Sequence, residues 1–224
     1  MMDETSLLIE RLSREAKPVR RLPTLPLRLV VWLALSIALI LGVSVFHGIR
    51  PDLLAMAGDP LWLLQQGLTL GTALTAALCA QSLGIPGNGR WPWRLWLCML
   101  AGWTLAIQID LSGMAGPPEA MASDWELFCP YCFPIIAIGS SLGLYADIRR
   151  AAPLAPLRTM VTLAIASTAM GIFGERLIHD DLDAPLLLLI QILTILAAAA
   201  VMAPLGRALF RWRNGRIPRN LQGE

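Results

Sequence analysis

Long runs of apolar residues dominate the sequence, and the first of them, residues 27–46, holds a single charged side chain, Arg28. A membrane-spanning α-helix needs about 20 mostly apolar residues. Of the 224 residues, 56% are hydrophobic and only 15% are charged, whereas soluble domains carry about 25% charged residues. The composition therefore excludes an ordinary soluble domain and predicts an all-α, polytopic membrane protein.

Six such runs predict six transmembrane helices. Their ranges are 27–46, 61–83, 93–109, 127–146, 154–178 and 185–206. The third run is the shortest, and prolines interrupt the fourth. The first run begins later than the apolar core of a signal peptide would, so no cleavable leader is expected. Because the connecting segments are short, sensing or chemistry must take place in the helix bundle or at its two faces.

The positive charges predict the orientation of these helices. With the N-terminus in the cytoplasm, sixteen of the eighteen Lys and Arg residues lie on the cytoplasmic side, and only Arg50 and Arg176 lie outside. Short loops rich in Lys and Arg stay on the cytoplasmic side of a membrane. An error of one in the number of spans would destroy this bias. The distribution therefore supports six spans with both termini in the cytoplasm, and the short loops indicate a bacterial inner membrane.

Residues 3–17 have the pattern of a short amphipathic helix that precedes the first span. Its apolar side chains are Leu7, Leu8, Ile9, Leu12 and Ala16. Glu10 and Arg14 can pair on the opposite side, and Pro18 ends the helix. Two interpretations remain open: the helix lies on the lipid surface, held by basic residues, or it docks its apolar side in a groove of a partner protein.

Two of the four cysteines lie at the outer start of the fourth span, in Cys129-Pro130-Tyr131-Cys132. Two thiols three residues apart at a helix N-terminus can form a disulfide or share a metal, and the helix dipole favours the thiolate. The outer side of the membrane permits disulfides. A redox-active or metal-responsive pair, a static disulfide and two inert thiols all remain open. Cys79 and Cys98 fall in the inner halves of spans and are expected to be core packing residues.

The two histidines, His47 and His179, fall at the outer ends of spans, and Asp180 follows His179. Cys129, Cys132, His179 and Asp180 have the ligand types of a site for a soft or borderline divalent metal. The sequence does not show that these side chains meet, so a metal site and solvated loop residues are both open. No other cofactor is expected.

Several local features occur in a characteristic order along nearly the whole chain. They are Leu8-Ile9-Glu10-Arg11-Leu12, Pro18-Val19-Arg20-Arg21-Leu22, Trp32, a cysteine at the start of the fourth span, Arg149-Arg150-Ala151-Ala152-Pro153, a histidine at the end of the fifth span, and Arg211-Trp212. This order resembles the NrsF-type inner-membrane anti-sigma factors, which are negative regulators of extracytoplasmic-function sigma factors.

The resemblance implies that the N-terminal segment holds a sigma factor at the membrane. The residues of this sequence that it implicates are Leu7, Leu8, Ile9, Leu12, Pro18, Val19, Arg20 and Arg21. The chain then divides into a partner-binding segment (1–26), a transmembrane domain (27–206) and a basic cytoplasmic tail (207–224).

The resemblance also implies two stress-responsive cysteines on the outer side. Cys129 or Cys132 matches the first, but Asp180 stands where the second is expected, directly after His179. This departure puts a disulfide between the fourth and fifth spans in doubt. The local Cys129/Cys132 pair, or a metal site that uses His179, would have to replace it, or sensing has been lost.

The predicted function is that of a non-enzymatic membrane anti-sigma factor, which releases an extracytoplasmic-function sigma factor when its outer cysteines respond to oxidation or a metal. The sigma factor and membrane lipid are the expected partners, without direct nucleic-acid contact. Two other classes compete. A membrane thiol-disulfide oxidoreductase would need a second outer cysteine pair, which the sequence lacks. A transporter would need charges or broken helices at mid-membrane, where the sequence places mainly glutamine and hydroxyl side chains.

Overall fold

A computed structural model describes residues 4–15, 22–85, 91–113, 131–151 and 155–179, together with the single residues 193, 196, 197 and 200. The ordered elements in these residues are helices, which confirms the predicted all-α class. They are α1 (Glu4–Glu15), α2 (Leu25–His47), α3 (Leu53–Met56), α4 (Pro60–Ser82), α5 (Trp91–Gly113), α6 (Cys132–Ala151) and α7 (Pro156–Ile178).

Three of these helices, α2, α4 and α7, are long and apolar enough to cross a membrane. Each has a proline in its first turn, where the missing N–H costs nothing because it has no helical partner. Helix α2 ends at Gly48, whose φ of +86° suits a residue without a side chain. The Asp59 side chain accepts a hydrogen bond from the Leu61 N–H (3.0 Å) and so caps the start of α4.

Observed helices and predicted spans agree well for α2, α4 and α7, and less well for the other two. Helix α5 extends beyond the predicted range 93–109 at both ends. Helix α6 begins later than the predicted 127–146 and continues through Arg149 and Arg150, which the sequence analysis treated as loop residues. Basic residues in a last turn are favourable because they face the negative end of the helix dipole.

The predicted sixth span, 185–206, and the basic tail, 207–224, lie outside the described residues, apart from the four single positions. The number of spans and the location of the termini therefore remain predictions.

Helix α7 occupies the centre of the bundle. It packs against α4 on one side and α6 on the other, while α5 packs on α4 and α2 packs on α6. In the membrane-length part of α7, 78% of the residues are buried, against 22% in α2. Helix α2 therefore presents most of its apolar surface outward, as expected of a helix at the lipid-facing side.

Small residues let these helices approach closely. Helix α4 buries four alanines, Ala73, Ala76, Ala77 and Ala80, and α7 contributes Ala166 and Ala169 to the same core. Since lipid tails are as apolar as side chains, helices in a membrane associate through close van der Waals packing of this kind.

Two glycines make the contact between α2 and α6 possible. A Cβ atom on Gly139 would lie 2.6 Å from the Leu39 Cδ1 atom, and one on Gly143 would collide with the Leu35 side chain. Between them, the Trp32 indole donates a hydrogen bond to the Ser140 carbonyl oxygen (3.0 Å). The close approach of α2 and α6 therefore depends on the missing side chains at these two positions.

A second glycine pair, one turn apart on α4, behaves differently. A Cβ on Gly71 would lie 3.1 Å from the Met99 sulfur on α5, but one on Gly67 would meet nothing within 4 Å. Among the described residues, Gly71 therefore packs closely against another helix and Gly67 does not.

Of the two cysteines expected in the core, Cys79 is buried on α4, but Cys98 on α5 is exposed. The prediction for Cys98 is therefore wrong. Helix α5 lies at the edge of the bundle and packs on α4, so one of its sides faces away from the core.

Candidate functional site

Three side chains of metal-ligand type meet where α2 and α7 end and α6 begins. His47 is the last residue of α2, Cys132 is the first of α6, and His179 follows α7 directly. The His179 Nε2 atom lies 3.3 Å from the Cys132 Sγ atom. The imidazole rings of His47 and His179 meet edge to face, with their centroids 6.0 Å apart. One ligand atom from each of these residues, which we call the Cys–His cluster, lies within 4.8 Å of the other two.

Burial is graded across the Cys–His cluster. Cys132 is fully buried, His179 is half-buried and His47 is exposed. The exposed part of the cluster is therefore the His47 imidazole.

Backbone contacts hold the cluster residues in place. The Arg50 N–H donates a hydrogen bond to the Leu177 carbonyl oxygen (3.4 Å), so the segment after α2 is tied to the end of α7. The His179 N–H donates to the Glu175 carbonyl oxygen (2.9 Å) and completes the last turn of α7. The two ends therefore stay beside each other without a contribution from the imidazoles.

An ion pair stabilises the segment that follows His47. The buried Arg50 guanidinium donates to both carboxylate oxygens of Asp52 at 2.7 Å. This hydrogen bonding lowers the pKa of the Asp52 carboxyl below its usual value. Asp52 therefore remains charged at neutral pH, and the Arg50 guanidinium that pairs with it is buried.

A polar group buried in the bundle lies one turn before His179. Arg176 donates a hydrogen bond to the Gln65 Oε1 atom (2.8 Å), and its Cζ atom lies 5.9 Å from the centroid of the Trp62 ring. Glu175, which the sequence analysis missed, is also buried. Arg176 was predicted at the outer end of the fifth span, but its burial was not predicted. It is buried because α7 is the central helix and its last turn packs against α4 and α6.

The predicted sensing residues fall into two groups. The structure brings Cys132 and His179 into contact, whereas Cys129 and Asp180 lie outside the described residues. His47 was not predicted as part of the site. Its place at the outer end of a span, the same level as His179, is the signal that could have suggested it, but only the packing of α2 on α6 brings the two together.

The predicted partner-binding segment is helical over Glu4–Glu15, and the Glu10–Arg14 ion pair expected from the sequence is present at 2.7 Å. Its apolar side chains are each more than half exposed: Leu7, Leu8, Ile9 and Leu12. The other predicted contact residues, Pro18, Val19, Arg20 and Arg21, lie outside the described residues. Helix α1 therefore offers an apolar surface to a partner or to lipid.

At the opposite end of α2 from the Cys–His cluster, the Arg28 guanidinium pairs with the Asp147 carboxylate of α6 at 2.8 Å. A groove of about 290 Å³ lies beside this pair, between α2 and α6, and Pro23, Leu27 and Arg150 are among its lining residues. Pro23 belongs to the chain that leads from α1 into α2. The groove therefore adjoins the predicted partner-binding segment.

A comparison with family models shows to which family the chain belongs. The model described as negative regulator of sigma F (NrsF) matches residues 12–212. This chain belongs to the NrsF family. Neither curated proteins nor solved structures gave a match. Membership of the NrsF family supports negative regulation of a sigma factor, which is a regulatory and not a catalytic role.

Proposed function

We propose that this NrsF-family protein holds an extracytoplasmic-function sigma factor at the cytoplasmic face of a bacterial inner membrane and releases it under oxidative or metal stress sensed on the outer face. The observation that carries the binding part is the exposed apolar side of α1, formed by Leu7, Leu8, Ile9 and Leu12. An amphipathic helix with an unpaired apolar side docks in a hydrophobic groove of a partner. In a family that restrains a sigma factor, the sigma factor is the partner to test first.

Residues 1–26 are proposed as the sigma-binding segment, in which Pro18, Val19, Arg20 and Arg21 extend the contact beyond α1. The proposed membrane domain, 27–206, has six spans with both termini in the cytoplasm, and 207–224 forms a basic cytoplasmic tail. This arrangement places α1 and the Cys–His cluster on opposite faces of the membrane.

Helix α2 links these two faces. At about 1.5 Å per residue, its 23 residues span roughly 35 Å, enough to cross the apolar part of a bilayer. The N-terminal end of α2 continues from the sigma-binding segment, and its C-terminal residue is His47 of the Cys–His cluster. A change in the contacts of the cluster shifts α2 against α6 and α7 and so alters how α1 is presented.

The sensing residues are proposed to be Cys132 and His179, with Cys129 and Asp180 from the adjoining sequence. Cys132 is positioned to respond because it lies at a helix N-terminus, where the dipole favours the reactive thiolate. Its Sγ atom also lies within 3.3 Å of the His179 imidazole.

The binding part is tested with the double substitution Leu8→Ser/Leu12→Ser in the full chain. Deleting the whole gene first defines, by transcript sequencing, the set of genes that the protein keeps silent. We expect the double variant to switch on the same set without stress, because two apolar anchors are lost while the ion pair of α1 is kept. Ser13→Ala, on the polar side of α1, is the matched control and should leave these genes silent.

A double variant that is present in the membrane at normal amounts and still keeps the genes silent would show that α1 does not bind the sigma factor. In the same double variant, the sigma factor could remain in the membrane fraction while α1 no longer attaches to the membrane. That result would show that α1 is a lipid-binding helix instead.

The sensing part is tested with Cys129→Ser/Cys132→Ser. This variant should keep the genes silent under oxidative or metal stress, because the outer face can no longer respond. The exposed Cys98→Ser is the control and should respond normally. A stress response of normal size in the double variant would show that these thiols are not the sensor.

A further inference from the structure

We propose that the Cys–His cluster binds one soft or borderline divalent cation, of the Zn²⁺ or Cd²⁺ class, through His47, Cys132 and His179. The sequence predicts that His47 lies at the outer end of a span, but it does not show that His47 meets the other two residues. The packing of α2 on α6 and of α6 on α7 does so, since it brings one ligand atom from each residue within 4.8 Å of the others.

The geometry is close to that of a bound ion. With zinc bonds of about 2.3 Å to sulfur and 2.0–2.1 Å to nitrogen, two ligands of one tetrahedral zinc lie about 3.4–3.6 Å apart. The observed distance between the Cys132 Sγ and His179 Nε2 atoms is 3.3 Å, so these two ligands already have the required separation. The third ligand, His47, is exposed. Completing the site requires its ligand atom to approach by about 1 Å, from within 4.8 Å of the other two to the separation of a bound ion.

The donor set selects the class of cation. One thiolate and two imidazoles suit zinc, cadmium and similar ions, whereas magnesium and calcium prefer an all-oxygen shell. Three protein ligands leave a fourth position for water, as in zinc sites that exchange their outer ligand. The metal bonds to the thiolate, and the proton of the Cys132 thiol passes to solvent, so no oxidant or reductant is needed.

The three ligands come from three helices. A bound cation joins the C-terminal end of α2 to the beginning of α6 and the end of α7, and it stabilises the arrangement in which these ends meet. The consequence for sigma-factor release rests on the proposed function, because α2 is the helix that leads to α1. Binding of the cation itself depends only on the cluster.

The test uses the full chain in lipid nanodiscs under reducing conditions, with Co²⁺ as a spectroscopic probe and Zn²⁺ as the competitor. We expect one Co²⁺ per chain with a thiolate-to-cobalt absorption band and the intense visible bands of a tetrahedral site, and displacement by one equivalent of Zn²⁺. His47→Gln and His179→Gln should weaken Zn²⁺ binding by about 100-fold, because loss of a ligand costs at least as much as loss of its supporting partner.

Two further variants assign the thiolate. Cys132→Ser should abolish the thiolate-to-cobalt band, and Cys98→Ser should leave both the band and the affinity unchanged. Thermal unfolding of each variant without metal checks that the fold is intact. The inference is overturned if His47→Gln binds Zn²⁺ as tightly as the unaltered chain, or if the unaltered chain binds no more Co²⁺ than Cys132→Ser.

The outcome for the site is separable from the outcome for the proposed function. Metal binding could be normal while the silenced genes stay silent in the Leu8→Ser/Leu12→Ser variant. That result would support the metal site and contradict sigma-factor binding by α1. Conversely, His47→Gln could respond normally to Zn²⁺ and Cd²⁺ in cells while Cys129→Ser/Cys132→Ser stays unresponsive. That result would support the thiol sensor and contradict the three-ligand site.

Discussion

The two ends of the α2–α6 pair are held together by different chemistry. At one end, the Arg28 guanidinium pairs with the Asp147 carboxylate at 2.8 Å, and Arg28 is almost completely buried. At the other end, α2 approaches α6 through the Cys–His cluster, in which the imidazoles of His47 and His179 and the thiol of Cys132 lie side by side.

This difference indicates which end can change state. A partly buried ion pair is costly to break. A thiol and two imidazoles change their contacts when an oxidant or a metal arrives. We therefore interpret the ion-pair end as the fixed end of α2 and the Cys–His cluster as the end that responds.

The fixed end can be broken by Arg28→Ala, for which we expect the largest effect. Removing one partner of a buried pair costs about 3–5 kcal/mol, and because Asp147 keeps partial contact with solvent we expect roughly 2–3 kcal/mol. The free energy of unfolding is measured by denaturant titration in a single detergent. Arg94→Ala, which removes an exposed arginine of α5, is the control and should change stability by about 0.5 kcal/mol or less.

A double-mutant cycle with Asp147→Ala sharpens this result. Since the second substitution removes the carboxylate that the first leaves unpaired, the double variant should lose less stability than the two single variants add up to. Strict additivity would show that the 2.8 Å contact does not hold the helices together.

The contact in the middle of the pair is tested with Gly143→Val. Its side chain would collide with Leu35, and overpacking of this kind costs about 1–3 kcal/mol. We expect roughly 2 kcal/mol, because the end of the Leu35 side chain can move partly aside. Gly67→Val on α4, where a Cβ meets nothing within 4 Å, is the matched control.

Leu35→Ala in the Gly143→Val background should recover part of the lost stability, because it removes the atoms that collide. An equal loss for Gly143→Val and Gly67→Val would mean that α2 does not approach α6 as closely as the structure shows.

The smallest effect is expected at the Arg50–Asp52 ion pair near the Cys–His cluster, because its carboxylate is partly exposed. Arg50 lowers the pKa of the Asp52 carboxyl. The stabilisation from this pair is therefore fully present above the pKa of an unfolded aspartate, and it is lost as the pH falls through the lowered pKa of the folded state. Asp52→Asn should lower the melting temperature slightly at pH 7, and the difference from the unaltered chain should disappear in strong acid.

Melting curves from pH 7 to about pH 2, through the usual range of aspartate titration, measure this difference. If the difference in melting temperature between Asp52→Asn and the unaltered chain increased as the pH fell, the sign of the pKa shift would be contradicted. A loss at pH 7 as large as that of Arg28→Ala would contradict the assignment of the fixed end.

Local sequence patterns were sufficient for much of the fold. The apolar runs placed α2, α4 and α7 within two residues at each end, because a run of about 20 apolar residues has few alternatives to a helix. The start of α6 was less well placed. The predicted span began at residue 127 in a run interrupted by prolines, and only the structure shows that Cys132 is the first residue of α6.

The candidate site was only partly accessible from the sequence. Cys132 and His179 were chosen for their chemistry and their place at the outer ends of spans, and their side chains do meet. His47 and Glu175 were missed, because an imidazole at a helix end and a carboxylate within a helix have no local pattern that reveals their neighbours. The burial of Arg50 and Arg176 was not predicted either, since the sequence does not show which helix end is surrounded by others.

By itself, the sequence determined the all-α class, the apolar helices, the amphipathic α1 and membership of the NrsF family, because each of these follows from residues close together in the chain or from their order. Only the tertiary structure decided that His47 joins Cys132 and His179. The glycines of α6 and the alanines of α4 and α7 set how closely the helices pack, and that packing brings residues 47, 132 and 179 to one place. Contacts between such distant residues depend on the shapes of whole helices, which no local pattern records.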